Sequence, residues 1–287
     1  MNKRVQGILY MIGASIGYGF LSIFIKLGIN SGLNGLYISG VAFLLAAILL
    51  WSMVFISKKK IYLSLVFLNI CAIANIAIFY FQVKAVQTIS VSLFTILYYT
   101  YPFFIIIVSR FLLDQKVNKL KLLSLTLSIF GVVLTIGIFQ NAFIKFSVIG
   151  IIYALLSAFS NSIFFISIQR ALKENDDKTS LAYIYSVTTV VYLATCLFTG
   201  QLTNLPNVTQ ISYIILLAVV SFTFAGIFNA KGIELIGAST ASIISLIQPI
   251  IVLVVANMIF GDLMTVMQMF GGVLIILSLV VTIFDKE

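Results

Sequence analysis

Apolar residues fill this chain in ten long blocks separated by short clusters of charged and turn-forming residues. A hydrocarbon core roughly 30 Å thick is crossed by about 20 apolar residues of α-helix. Blocks at 6–27, 33–57, 61–83, 90–110, 119–138, 147–169, 180–200, 209–230, 237–260 and 264–284 meet that length. The breaks fall at Gly28–Gly32, Lys58–Lys60, Asp114–Lys119, Gln140–Lys145, Lys173–Lys178 and Asn204–Asn207. The pattern predicts an all-α integral membrane protein with ten transmembrane helices. Two blocks, SLFTILYYTYPFF from Ser92 and STASIISLIQPII from Ser239, carry an interior proline. Proline lacks an N–H and clashes with the carbonyl four residues back, so Pro102 frees the carbonyl of Tyr98 and Pro249 that of Ser245. In lipid, such groups survive only beside protein or a water-lined cavity.

Composition agrees with the blocks: 62% of the 287 residues are hydrophobic and 9% are charged, and the mean hydropathy is +1.19. The first block follows Lys3 and Arg4 but is too long for a signal-peptide core, so it is read as a membrane span. The net charge of +9 comes from residues between apolar blocks, which never build a basic face for nucleic acid. Cys71 and Cys196 lie inside apolar blocks and read as buried free thiols. The sequence contains no histidine, which excludes a histidine-containing zinc site or catalytic triad, and no cofactor is implied.

The two halves align. GILYMIGASIGYGFLSIFIK from Gly7 lies over GIIYALLSAFSNSIFFISIQ from Gly150, KAVQTISVS from Lys84 over KGIELIGAS from Lys231, and FGVVL from Phe130 over FGGVL from Phe270. Domains are therefore expected at 1–140 and 141–287, each with five helices. An odd number of crossings inverts the second copy relative to the first. Charge agrees, because basic residues favour the cytoplasmic side. Lys58–Lys60 oppose an uncharged GQLTNLPN from Gly200; Arg110, Lys116, Lys119 and Lys121 oppose a segment around Asp262 without basic residues; Lys26 corresponds to Arg170, Lys173 and Lys178. With both termini cytoplasmic, fourteen basic residues face the cytoplasm, and Lys26, Lys84 and Lys145 face away.

These features together resemble the drug/metabolite transporter superfamily, in particular its EamA-type ten-helix members, over essentially the whole chain. The resemblance rests on the Gly-rich aromatic first helix ending in Lys26, LYYTYPFF, LIQPII, GASTAS from Gly237, and an acidic residue after each proline helix, here Asp114 and Asp262 where the family usually has glutamate. It implies a multi-pass carrier of the cytoplasmic membrane, working by alternating access. The expected cargo is a small organic metabolite, an amino acid or related compound, with export the favoured direction. It further implies a central cavity lined by the first, third, fourth, sixth, eighth and ninth helices.

Polar residues supply candidates for that cavity. Thr95 and Tyr98 precede Pro102 at helical spacing, as Ser242 and Ser245 precede Pro249, with Tyr99 and Gln248 flanking. The alternative use of such hydroxyls is bonding to their own helix backbone. Amides are costly in hydrocarbon without partners, which singles out Asn75 and Gln82 on the third helix, Asn161 on the sixth, aligned with Tyr18, and Asn229 on the eighth, aligned with Gln82. Tyr80 completes the set. Lys84 and Lys231 lie at equivalent helix ends; snorkelling is one role for them, and binding of an anionic or phosphorylated cargo the other, with Glu234 partly neutralising Lys231. The acidic residues all fall in or near loops, so the expectation is facilitated diffusion or exchange, or proton coupling limited to Asp262 or Glu234 near an entrance. Only Asp176 and Asp177 pair, in a segment read as a solvated loop, so an enzyme is not expected. A membrane sensor or scaffold is the non-transport alternative. Expected partners are membrane lipid and a small-molecule substrate, with the chain a monomer or homodimer. Gly13 and Gly17 form a small-xxx-small pair suited to close helix packing within or between monomers.

Overall fold

The computed structural model describes residues 2–57, 63–89, 91–112, 119–136, 147–200, 206–260 and 265–284. Those residues form α1 (Lys3–Asn30), α2 (Gly35–Ile56), α3 (Leu65–Val86), α4 (Val91–Tyr98), α5 (Tyr101–Leu112), α6 (Lys119–Ile136), α7 (Val148–Ala171), α8 (Asp177–Phe198), α9 (Val208–Leu216), a π-helical stretch (Leu217–Phe224), α10 (Ala225–Ser245), α11 (Gln248–Phe260) and α12 (Val266–Phe284). Asp114, Asp262, Asp285, Glu287, Lys58–Lys60, Lys116 and Lys145 lie outside the described residues, as do the side chains of Lys26 and Arg110.

Among the described residues, seven helical spans are long and apolar enough to cross a membrane, and Leu93–Ser109 and Val266–Thr282 are shorter apolar stretches. The protein is an all-helical, multi-pass membrane protein. Its helices are less continuous than the apolar blocks suggest. The block at 90–110 breaks at Tyr99 and Thr100, and the block at 237–260 breaks at Leu246 and Ile247, two to three residues before each proline. Both breaks tighten into i→i−3 bonds: Thr100 N–H to Leu97 O at 3.2 Å and Leu246 N–H to Ile243 O at 3.2 Å. Conversely, Val208–Ser245 runs as one helical length of 38 residues. At about 1.5 Å per residue this is nearly twice the hydrocarbon thickness, and it turns at Gly237, where φ 76° and ψ 159° admit glycine without a Cβ clash.

The closest packing joins α3 to α7, α1 to α10, α6 to α12 and α2 to α8. Gly13 and Gly17 act within the chain: a Cβ on Gly13 would meet Phe228 at 2.5 Å, and one on Gly17 would meet Ala225 at 2.7 Å. Cross-helix hydrogen bonds hold the interior, including Ser157 Oγ to Ile78 O at 2.9 Å, Ser221 Oγ to Gly17 O at 2.9 Å and Ser128 Oγ to Ser278 Oγ. Outward faces are apolar, as at Leu122, Phe130, Phe270 and Val273, which suits acyl chains. Both cysteines are free and buried.

Candidate functional site

A cavity of about 520 Å³ occupies the bundle where the two chain breaks meet. Its size lies within the range of small-molecule sites. From α4 and the turn after it come Thr95, Tyr98 and Tyr99; Tyr101 follows on α5; Gln248, Pro249 and Val252 come from α11. Asn75 and Gln82 project from α3, Asn161 from α7 and Asn229 from α10. Tyr18 of α1 borders it and pairs with the phenol of Tyr185 on α8.

Nine of the twelve residues singled out in the sequence therefore border one cavity: Tyr18, Asn75, Gln82, Thr95, Tyr98, Tyr99, Asn161, Asn229 and Gln248. Three do not. Tyr80 is 55% exposed on the outer side of α3, near the Lys84 ammonium, 5.9 Å from its ring centre. Ser242 is fully buried and donates to Ser239 O at 2.8 Å. Ser245 is 1% exposed, donating to Ser242 O at 2.7 Å and meeting the Tyr101 phenol. Both serines donate to their own helix backbone, and Ser245 spends its remaining capacity on the Tyr101 phenol.

Other walls were not anticipated. Phe43 of α2 stacks on Phe222 with ring centres 3.9 Å apart and planes 9° apart, and Thr135 of α6 and Gln268 of α12 also line the space. Phe222 belongs to the π-helical stretch, whose register shows in Thr223 Oγ1 bonding Ala218 O, five residues back, at 2.8 Å. That insertion exposes the Phe222 carbonyl to Tyr185 Oη at 3.2 Å, an instance of a π-bulge serving a cavity wall. The polar run of α8, with Thr188 bonded by Asn75 Nδ2 at 3.0 Å, was the signal that this helix faces inward.

No charged side chain borders the cavity among the described residues. Lys231 lies six residues before the Gly237 turn rather than at a helix end. Its Nζ is 3.9 Å from Asp177 Oδ2 and 5.6 Å from the Tyr10 ring centre. Asp177, not Glu234, is thus its acidic partner; Asp177 opens α8 with its side chain 10% exposed, so that residue is not in a solvated loop. Glu234 is exposed within α10. At this end α1 seals against α10, since a Cβ on Gly7 would meet Ile236 at 2.5 Å and one on Gly232 would meet Met11 at 2.5 Å. Gln169 Oε1 accepts the Ala238 N–H at 2.7 Å just past the turn. The cavity extends the other way, towards Gln82, Thr95, Ile136 and Gln268, where α3 and α6 finish and α4 and α12 begin.

A family model for EamA-like transporters matches residues 5–137 and 148–284. The chain belongs to the EamA-like transporter family. An uncharacterized transporter of Synechocystis sp. is 28% identical over 193 residues, covering 66% of this chain and 58% of that protein. An uncharacterized transporter of Archaeoglobus fulgidus is 24% identical over 199 residues, covering 69% of each. The match thus spans less than two thirds of the Synechocystis relative. A crystal structure with 13% sequence identity has a TM-score of 0.86 over 97% of this EamA-like chain and 96% of its own, a likeness of fold alone.

Proposed function

We propose that this EamA-like transporter is a carrier rather than an enzyme. It moves small organic metabolites of no net charge, amino acids or related compounds, out across the cytoplasmic membrane by alternating access. The observation that carries the reading is the cavity of about 520 Å³ at two proline-broken helices, reaching one end of the bundle and sealed from the other. Unwound helix segments around a midplane cavity are the device by which repeat-built carriers hold cargo. Ten crossings in two inverted five-helix halves, 1–140 and 141–287, fit the turn at Gly237. They also fit the packing, in which exchange of the aligned halves maps α1 against α10 onto α7 against α3. With both termini cytoplasmic, the open end faces outward. Movement is by facilitated diffusion or exchange.

Carriage of an anionic or phosphorylated cargo through Lys84 and Lys231 is not favoured, because neither lysine lines the cavity. A scaffold has no use for a cavity of this kind, and a sensor would bind a ligand in it without moving it. The test is solute flux in proteoliposomes: saturable counterflow of a small metabolite is expected, and its absence across a broad metabolite set contradicts the reading.

A further inference from the structure

We propose that the cargo carries no formal charge and presents a hydrogen-bond donor and acceptor side by side on a flat ring, as a carboxamide, lactam or nucleobase does. The inference rests on the carrier reading of the cavity and narrows its cargo from amino acids and related compounds to the uncharged related compounds. Asn161 and Asn229 are 7% and 5% exposed, border the cavity, and have no hydrogen-bond partner among the described residues. Each carboxamide offers an acceptor oxygen and two N–H donors in one plane, and with no described protein partner both are left to cavity water or a ligand. A ligand edge with the same alternation satisfies both faces of such an amide at once.

Two further amides of the lining are committed elsewhere, while Gln82, nearer the open end, has no partner among the described residues. Asn75 donates to Thr188 at 3.0 Å and Gln248 accepts from Tyr99 at 3.4 Å. Flat walls are available in the Phe43–Phe222 stack and in Tyr98 stacked on Phe94 at 5.6 Å, and rings prefer offset-stacked or edge contacts with rings.

Among the described residues, the breaks offer a charge little. Half-helix N-termini can bind a carboxylate through free N–H groups. Here Pro102 and Pro249 are the second residues of α5 and α11 and have no N–H to give. Of the next donors, Phe103 N–H bonds Thr100 O at 2.9 Å, and Ile250 and Ile251 N–H both bond Ile247 O, at 3.1 and 3.3 Å, so each half-helix keeps little more than its first N–H, at Tyr101 and Gln248, for a ligand. Among the described lining residues a carboxylate or phosphate would meet no cation, and an ammonium no carboxylate.

Binding to the purified protein in nanodiscs, followed by calorimetry and thermal shift, tests this with ring-matched pairs: nicotinamide against nicotinate, uridine against uridine monophosphate, and phenylalanine as zwitterion. At least one neutral member should bind and its charged partner should bind at least tenfold more weakly. Asn161→Leu and Asn229→Leu should each lose at least tenfold in affinity while keeping or raising the melting temperature, which separates lost recognition from lost folding. Tighter binding of a charged or zwitterionic member, binding of no neutral member, or unchanged affinity in both variants overturns the proposal. Flux of the bound compound into proteoliposomes separates the two readings. Binding without flux sinks the carrier and leaves the ligand class standing; flux of charged solutes alone does the reverse.

Discussion

The phenol of Tyr101, first residue of α5, shares a hydrogen bond with the hydroxyl of Ser245, last residue of α10, tying one chain break to the other. Ser245 also donates to Ser242 O at 2.7 Å, so the Tyr101 proton is the one that spans the breaks. Tyr101→Phe removes it without opening a cavity. Loss of about 1 kcal/mol is expected, seen as a lower thermal midpoint in detergent. Tyr99→Phe should cost less, because its bond to Gln248 is long at 3.4 Å. An unchanged midpoint for Tyr101→Phe removes this tie from the account.

The Lys231–Asp177 pair joins α10 to α8 at the sealed end, with Tyr10 of α1 beside it. Reversing one charge places like charges across the seal. Asp177→Lys and Lys231→Asp should each slow flux about two- to fivefold, the modest size following from a Lys231 side chain 37% exposed. The double exchange should recover most of the rate. Singles at wild-type flux, or a double no better than the singles, contradict a role for the pair in closure.

Gly131 and Gly271 let α6 and α12 touch backbone to backbone. A Cβ on Gly131 would lie 2.7 Å from Gly271 O, and one on Gly271 2.6 Å from Gly131 O, and backbone oxygens cannot rotate away. Alanine at either site should separate the helices, break the Ser128–Ser278 bond and cost roughly 1–3 kcal/mol. Gly272→Ala is the matched control, its nearest neighbour being Ile250 at 3.9 Å; it should unfold at the wild-type midpoint.

No carboxylate, amine or guanidinium borders the cavity among the described residues, so no described lining group changes charge between pH 6 and 8. Flux of an uncharged solute should vary less than about twofold over that range. A pH gradient imposed with equal solute on both sides should drive no accumulation. Net uptake under that gradient would contradict facilitated diffusion or exchange.

The sequence was most informative where a polar group is expensive in lipid. Asn75, Asn161, Asn229 and Gln248 border the cavity because an amide has few other places to go, and Pro102 and Pro249 mark the breaks because a missing N–H is a local fact. Ser242 and Ser245 occupy the same helical stripe yet fail as lining groups, since a hydroxyl can satisfy itself on its own helix and leave no trace of the choice in the sequence. Tyr80 turns outward because a phenol at a helix end is as stable at an interface as in a cavity. Phe43 and Phe222 could not be told from the other phenylalanines, for their inward aim depends on which helices pack together and on a π-helical register at Leu217–Phe224. The turn at Gly237 falls where the sequence opens a new block, but the continuation of helix through Lys231 and Glu234 up to it was not legible, because charged residues between apolar blocks read as a loop.

Water access to the cavity tests the central claim most directly. Cys71 and Cys196 are buried and give an unreactive background, against which single cysteines replace Gln248 and Asn161 in the cavity and Phe130, 64% exposed on the outer face. In intact membranes a charged, impermeant maleimide should modify Gln248→Cys and Asn161→Cys and leave Phe130→Cys untouched. Inert cavity cysteines together with a reactive Phe130→Cys would mean that the space between the broken helices is closed to water, and the carrier account would be wrong.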